Sequence, residues 1–425
     1  MTFVAVDSTR RERAPPRQPR RRPDDGRREP ERGTMRDMSA AARARLIGAG
    51  YAAQGLGYAA VVTALPAFKE RQGLSDAFVS AILLLVCVAA AGGSVIADQV
   101  AARRGSRYAL AAGLFLIGAG LAGTTVATPK VAFVTILLLY GVGLGTVDAS
   151  LSMQGVLVQA RLGRSVMSRL FAAYTAAAIV AALLMSGSLA SGGGASIAVG
   201  TAAGFAVLVG LAGWRGFEPG RTERSHVVHE TGSRAVRRVI WVCGMLIFTA
   251  FLVDSAVSTW SSVYLKDTLH AAASIAPLGY AAYQATVLVS RLIADHLVPR
   301  AGRLAMALGS LVVSGAGCLL VVLLPVEAAA ITGFAIAGIG VGVLVPLAFS
   351  AAGEAARESS DEVIARVNLF NYGGALLGAV LLGALSDPIG LRIAFLIPVV
   401  GVVLTLPLAR RLQHLTVAEP APRPS

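Results

Sequence analysis

From near Arg45 almost to Arg410, apolar runs of about 20 residues alternate with short polar joints. A helix needs about 20 apolar residues to cross ~30 Å of hydrocarbon. The pattern predicts about twelve such helices, at 45–68, 75–97, 108–127, 131–155, 170–190, 195–214, 239–263, 275–295, 304–324, 328–350, 367–386 and 391–409. The least sharp joint is Thr128-Pro129-Lys130, between the third and the fourth. A longer polar segment at 215–238 parts them six and six. The expectation is an all-α integral membrane protein with twelve transmembrane helices in two six-helix bundles, at 45–214 and 239–410. A linker loop at 215–238 joins them, and tails at 1–44 and 411–425 flank them.

The two halves echo each other in register. Ile96-Ala97-Asp98 followed by Arg103 and Gly105 returns as Ile293-Ala294-Asp295 followed by Arg300 and Gly302, an offset of 197 residues. At the same offset Gly141, Gly143 and Gly145 return as Gly338, Gly340 and Gly342, and Arg169 falls on Arg366. Such a period is too long for a solenoid unit. Paired halves in a very apolar chain are the construction of many secondary transporters, and they make the two bundles pseudo-symmetric.

Composition agrees with a bilayer: 55% of residues are hydrophobic and 15% charged, against about 25% charged in soluble domains. The net charge of +14 is spread through alternate loops. One set holds Arg103, Arg104, Arg107, Arg161, Arg164, Arg169, the Arg215–Arg238 segment, Arg300, Arg303, Arg357 and Arg366. The other holds only Lys69, Arg71, Lys130, Lys266 and Arg392. Short cytoplasmic loops carry the Lys/Arg excess, so both termini are expected in the cytoplasm of a cell whose inner or plasma membrane the chain spans. This distribution argues against a nucleic-acid partner. Residues 1–44 alternate Arg with Asp or Glu around Pro15-Pro16 and are expected to be disordered. Met35 and Met38 stand just before the first span, where a later start would drop that tail. Cys87, Cys243 and Cys318 lie singly in apolar spans, no histidine pair has ligand spacing in a span, and no phosphate-binding loop is present. Neither a metal, a cofactor nor a catalytic constellation is expected, so the chain is read as a non-enzyme.

Asp148 is the sharpest chemical feature. It lies in the fourth span, with Ser152 one turn on and Gly141 and Gly145 behind it on one helical face. A charged carboxylate in mid-membrane costs roughly 2.5–3.5 kcal/mol on insertion scales, so it needs a partner, a wet cavity or a proton. The seventh span carries a second acid, Asp254, in a stripe with Ser258 and Ser261, followed by Trp260 and Tyr264. Tyr280, Gln284 and Arg291 share a face of the eighth span, and Asn368, Asn371 and Tyr372 open the eleventh. Of these, Asp148, Ser152, Asp254, Ser258, Trp260, Gln284 and Asn371 are the candidate cavity residues for solute and protons. Each alone is also explained as a polar tie between helices.

The loop Asp98-x-x-x-x-Arg103-Arg104-Gly105-Ser106-Arg107 resembles the signature G-x-x-x-D-R-x-G-R-R of the major facilitator superfamily. Gln99 stands at its first Arg, and Gly93 lies one position too early. The resemblance implies the major facilitator fold and a cytoplasmic gate at Asp98, Arg103, Gly105 and Arg107, repeated at Asp295, Arg300 and Gly302. The stretch from Gly141 to Gly155, with Arg161 to Arg169 after it, is similar to the fucose-permease-related bacterial branch. Ser152 replaces that branch's Asn and Phe171 its His. By that resemblance Asp148 lines the cavity and takes part in proton coupling. The first-helix acid of fucose permease is missing: Gln54 to Phe68 are all neutral, which weakens sugar uptake. Ala/Gly/Val-rich spans also suit an apolar substrate.

The expected function is secondary transport of a small organic solute by alternating access, coupled to protons, by a monomer. Proton-driven efflux of a drug or metabolite is the alternative. A transport-inactive membrane sensor or scaffold is the reading from another class; only the tail and the linker offer it docking surface.

Overall fold

The structure is a computed structural model and describes residues 39–126, 129–163, 166–219, 234–355 and 360–414. Most of the tail expected to be disordered, the centre of the linker, Arg164, Arg357, the last residues and the Asp295 side chain lie outside the described residues.

Every regular element among the described residues is helical. In chain order they are α1 (Ala40–Gln72), α2 (Asp76–Arg104), α3 (Ser106–Thr125), α4 (Lys130–Leu162), α5 (Met167–Ala190), α6 (Ala195–Gly216) and α7 (Arg234–Val263). A π-helical turn, Tyr264–Thr268, follows α7. Then come α8 (Ala276–Ala301), α9 (Arg303–Leu323), α10 (Glu327–Ala355), α11 (Ser360–Ile389), α12 (Leu391–Ala394) and α13 (Leu396–Ala409).

Several helices outrun the predicted spans because hydropathy registers only the part inside hydrocarbon. The ends are set by caps. Ser39 accepts from the Ala42 amide at 3.2 Å, and Gly73, at φ 58°, turns its own amide back onto the Glu70 and Lys69 carbonyls. The last predicted span is two helices. Pro398 has no amide proton to give the Ala394 carbonyl, and the break falls between them at Phe395.

Ten helices among the described residues are long and apolar enough to cross a membrane. Helices α1 and α8, also predicted as spans, are less apolar. Most of α1 is buried by protein, and α8 carries buried Tyr280, Tyr283 and Gln284. Lipid-facing helices show the reverse, with large side chains such as Leu208 and Leu404 exposed.

Helix α1 packs on α5 and α6, α2 on α4, and α3 on α4 and α6; α7 packs on α11, and α10 on α8 and α9. Between these groups α2 meets α11 and α5 meets α8. Lipid is as apolar as leucine, so contact between helices relies on close packing at small residues. A methyl at Gly143 would fall 2.9 Å from the Ile117 nitrogen of α3, while methyls at Gly141 and Gly145 would strike Val86 and Ala90 of α2. The repeated triplet behaves alike: Gly340 faces α9, and Gly338 and Gly342 face α8.

Gly105 and Gly302, also related by the repeat, each end one helix and begin the next, at φ 97° and 80°. L side chains rarely adopt that backbone. Gly302→Ala is expected to destabilise by about 1–2 kcal/mol, read as a lowered melting temperature in detergent. An unchanged melt would show that this turn tolerates a side chain.

Candidate functional site: two acids and a closed end

Arg43, Ser106, Arg161 and Glu218 gather at one end of the molecule, here called the basic end. The other end holds Lys69, Asp76, Asp267 and Asp387.

Helices α1 and α4 bring Gln54 to Asp148. The amide donates to the carboxylate Oδ1 at 2.9 Å, and the Ser152 hydroxyl donates to the Asp148 carbonyl at 3.0 Å. Asp148 and Ser152 are exposed, whereas Gln54 is buried. Tyr51 stacks edge-on against Phe171, with ring centres 5.4 Å apart. Among the described residues Asp148 forms no ion pair. Its bonded side-chain partner is a neutral amide, which can donate to a carboxylate or, turned over, accept from a carboxylic acid.

Helices α7 and α8 build a second acid site. The Tyr283 hydroxyl donates to Asp254 Oδ1 at 2.7 Å, and Gln284 Nε2 donates to the Tyr280 hydroxyl at 3.0 Å. Asp254 is half-buried. Arg291, two turns along α8 from Gln284, is half-buried.

The expected stripe along α7 divides. Ser258 and Ser261 are buried, and their hydroxyls have no hydrogen-bond partner among the described residues. Trp260 is fully buried and donates to the Ala379 carbonyl at 2.8 Å, so its indole bolts α7 to α11. Asn371 is half-buried and donates to Asn368 at 3.3 Å. Of the gate residues, Asp98 is half-buried, Arg103 and Arg300 are exposed, and Arg107 lies over the Tyr108 ring and donates to its hydroxyl at 2.7 Å.

Two networks escaped the sequence reading. Lys69, taken above as a plain loop charge, is nearly buried and bonds Asp76 of α2 and Asp267 of the π turn. It stands one residue beyond the apolar span. Burial alone would lower its pKa, but the hydrogen bonds and charges of Asp267 and Asp76 outweigh that and hold it above its ordinary value. Ser386 donates to Asp76 at 2.9 Å, the Ala77 amide to Asp387 at 3.3 Å, and Ser186 to the Ser274 carbonyl at 2.6 Å. Each of these bonds, like that from Lys69 to Asp267, joins the first six helices to the rest of the chain. The repeat held the signal: Lys69 plus the offset is Lys266, so the pseudo-twofold places residues 69 and 266–267 together.

Glu218, placed above in the linker, is the second. Its carboxylate meets Arg161 at 2.8 Å and Arg43 at 3.3 Å. Its amide donates to Gln154 Oε1 at 2.8 Å, and Gln154 Nε2 donates back to the Glu218 carbonyl and to Ser106 Oγ, both at 2.9 Å. This clip ties α1, α3, α4 and the segment after α6. The adjacent polar residues of the linker hid it.

Lys69→Ala removes one of the ties closing the end opposite the basic one. Spin labels across that end, at Glu70 and His270, are expected to report a ratio of open to closed forms raised about fivefold, or about 1 kcal/mol. An unchanged distance distribution would assign the closure to the packing of α2 on α11 and of α5 on α8.

The chain is thus a multi-pass helical bundle with acids in mid-helix and polar ties at one end. The sequence model of the Major Facilitator Superfamily matches residues 3–177, 161–361 and 280–425, and the chain belongs to that superfamily. An uncharacterized MFS-type transporter of Yersinia pestis is 29% identical over 351 residues, covering 80% of this chain and 88% of the relative. A POT family transporter in complex with a thioalcohol conjugated peptide superposes with a TM-score of 0.71 at 11% identity, over 88% of this chain and 96% of that one. A bacterial homolog of the human lysosomal transporter Spinster, in an inward-facing and occupied conformation, gives 0.67 at 13% identity, over 88% and 96%. At these identities the two structures share the fold with this chain.

Proposed function

We propose that this transporter moves a small organic solute across the cytoplasmic membrane by alternating access, driven by protons, with the basic end in the cytoplasm. The observation that carries the reading is Asp148: an exposed carboxylate in mid-helix, bonded by the neutral Gln54 and free of ion pairs among the described residues. Such a group takes and releases a proton without first breaking a salt bridge. Asp254, bonded by Tyr283, is the second titrating or solute-contacting group. The pattern around Asp148, similar to the fucose-permease-related branch, supports the same role.

The bundles at 45–214 and 239–410 rock about the linker at 215–238. The ties at Lys69, Asp76, Asp267, Ser386 and Asp387 belong to a state closed at the outer face. Exposure of Asp148 and Ser152 is consistent with access from the cytoplasm in that state. The gate loops at Asp98 and Asp295 serve the opposite state. One chain supplies both bundles, and the working unit is the monomer.

The test uses vesicles holding the purified chain and a pH-sensitive dye. Adding a transported solute is expected to move protons with it. Solute crossing without proton movement would replace coupling by facilitated diffusion.

A further inference from the structure

Resting on the transport reading above, we infer that the solute is a compact, mostly apolar molecule bound beneath the Lys69 closure. The site is a cavity of about 220 Å³ between α1, α2 and α4 on one side and Ser255, Thr259, Ala375 and Ala379 on the other. Its walls are mainly aliphatic and aromatic, and it reaches Lys69 at the closed end. Neither Asp148 nor Asp254 lines it, so the binding wall and the titrating groups are separate.

An apolar cavity of about 150 Å³ holds benzene. This one has room for a ring with a short substituent. Every sugar hydroxyl stripped of water needs a partner, and among the described residues the hydroxyl-bearing ones that line the cavity are Tyr58, Tyr140, Ser255 and Thr259, with the Tyr140 hydroxyl itself closed off. The Lys69 ammonium at its edge is already held by two carboxylates.

Cys87 supplies the readout. It lines the cavity and is exposed, whereas Cys243 and Cys318 are buried. The full chain in detergent is labelled with N-ethylmaleimide in the presence of acetophenone, toluene or fucose. Acetophenone at about ten times its Kd is expected to slow Cys87 labelling about tenfold, and fucose to leave it unchanged. Toluene is expected to protect as acetophenone does. Ala375→Leu, which narrows the cavity, removes protection by both.

Protection by fucose but not acetophenone overturns the inference. So does acetophenone protection that survives Ala375→Leu, which marks mere partitioning into detergent. If the inference fails in either way while a polar solute still drives protons into vesicles, the transport reading stands. If acetophenone protects Cys87 and no solute moves protons, the proton-coupling reading fails and the cavity assignment stands.

Discussion

Asp148→Asn is expected to abolish the solute gradient that the transporter sustains, while solute exchange across the membrane continues. Asparagine matches the shape of aspartate and keeps a carbonyl oxygen for the Gln54 amide, now 2.9 Å from the carboxylate. The fold therefore survives, and removing a charge from mid-membrane does not harm insertion. What disappears is a group that carries a proton. One proton driven through 100 mV supplies about 2.3 kcal/mol, enough for about a fiftyfold solute gradient. The variant is expected to reach a ratio near one in vesicles under an imposed potential, with counterflow close to wild type. A gradient equal to wild type would move the coupling to Asp254, which the Tyr283 hydroxyl already bonds.

The second large effect is on stability. Glu218→Gln keeps the side-chain volume and the backbone clip to Gln154, but it removes the charge that meets Arg43 and Arg161. Its carboxylate is 3% exposed, and Arg43 is 10% exposed. Breaking a buried ion pair by changing one partner costs about 3–5 kcal/mol. The basic end of the first six helices is expected to loosen, with a melting temperature several degrees lower in detergent. A double-mutant cycle with Arg161→Gln isolates the pair and is expected to show a coupling above about 1 kcal/mol. Additive effects would mean that the Glu218 charge acts through Arg43 and not through Arg161.

Much of this molecule was legible before any coordinates. Residues that must sit in hydrocarbon cannot be polar over about 20 positions, so the helices announced themselves. The repeat located the turn glycines, and Gly105 and Gly302 do share one backbone conformation. The acids at Asp148 and Asp254 stood out because lipid makes such residues rare. Their partners did not. Gln54 lies 94 residues from Asp148, and Tyr283 lies 29 from Asp254; no local periodicity connects them.

Trp260 marks where face arguments fail. The sequence reading put it among the cavity residues beside the Asp254 stripe, but a helix between two neighbours has few open faces, and the Trp260 indole ended in the α7–α11 seam. Lys69 and Glu218 were hidden for a different reason. Charges near span ends are read as topology signals, and nothing in a linear pattern separates a charge in water from one that bridges two acids or clips the segment after α6.

The sequence by itself determined the helical class, the apolar spans, the two echoing halves and the presence of two intramembrane acids. Hydrocarbon tolerates so few alternatives that composition alone decides these. Only the tertiary structure decided which polar groups meet, that Lys69 bridges two acids across the halves, and that an aliphatic cavity lies beneath it. Those contacts join residues far apart in the chain, and distance in space is set by packing at glycines and small side chains that composition does not encode.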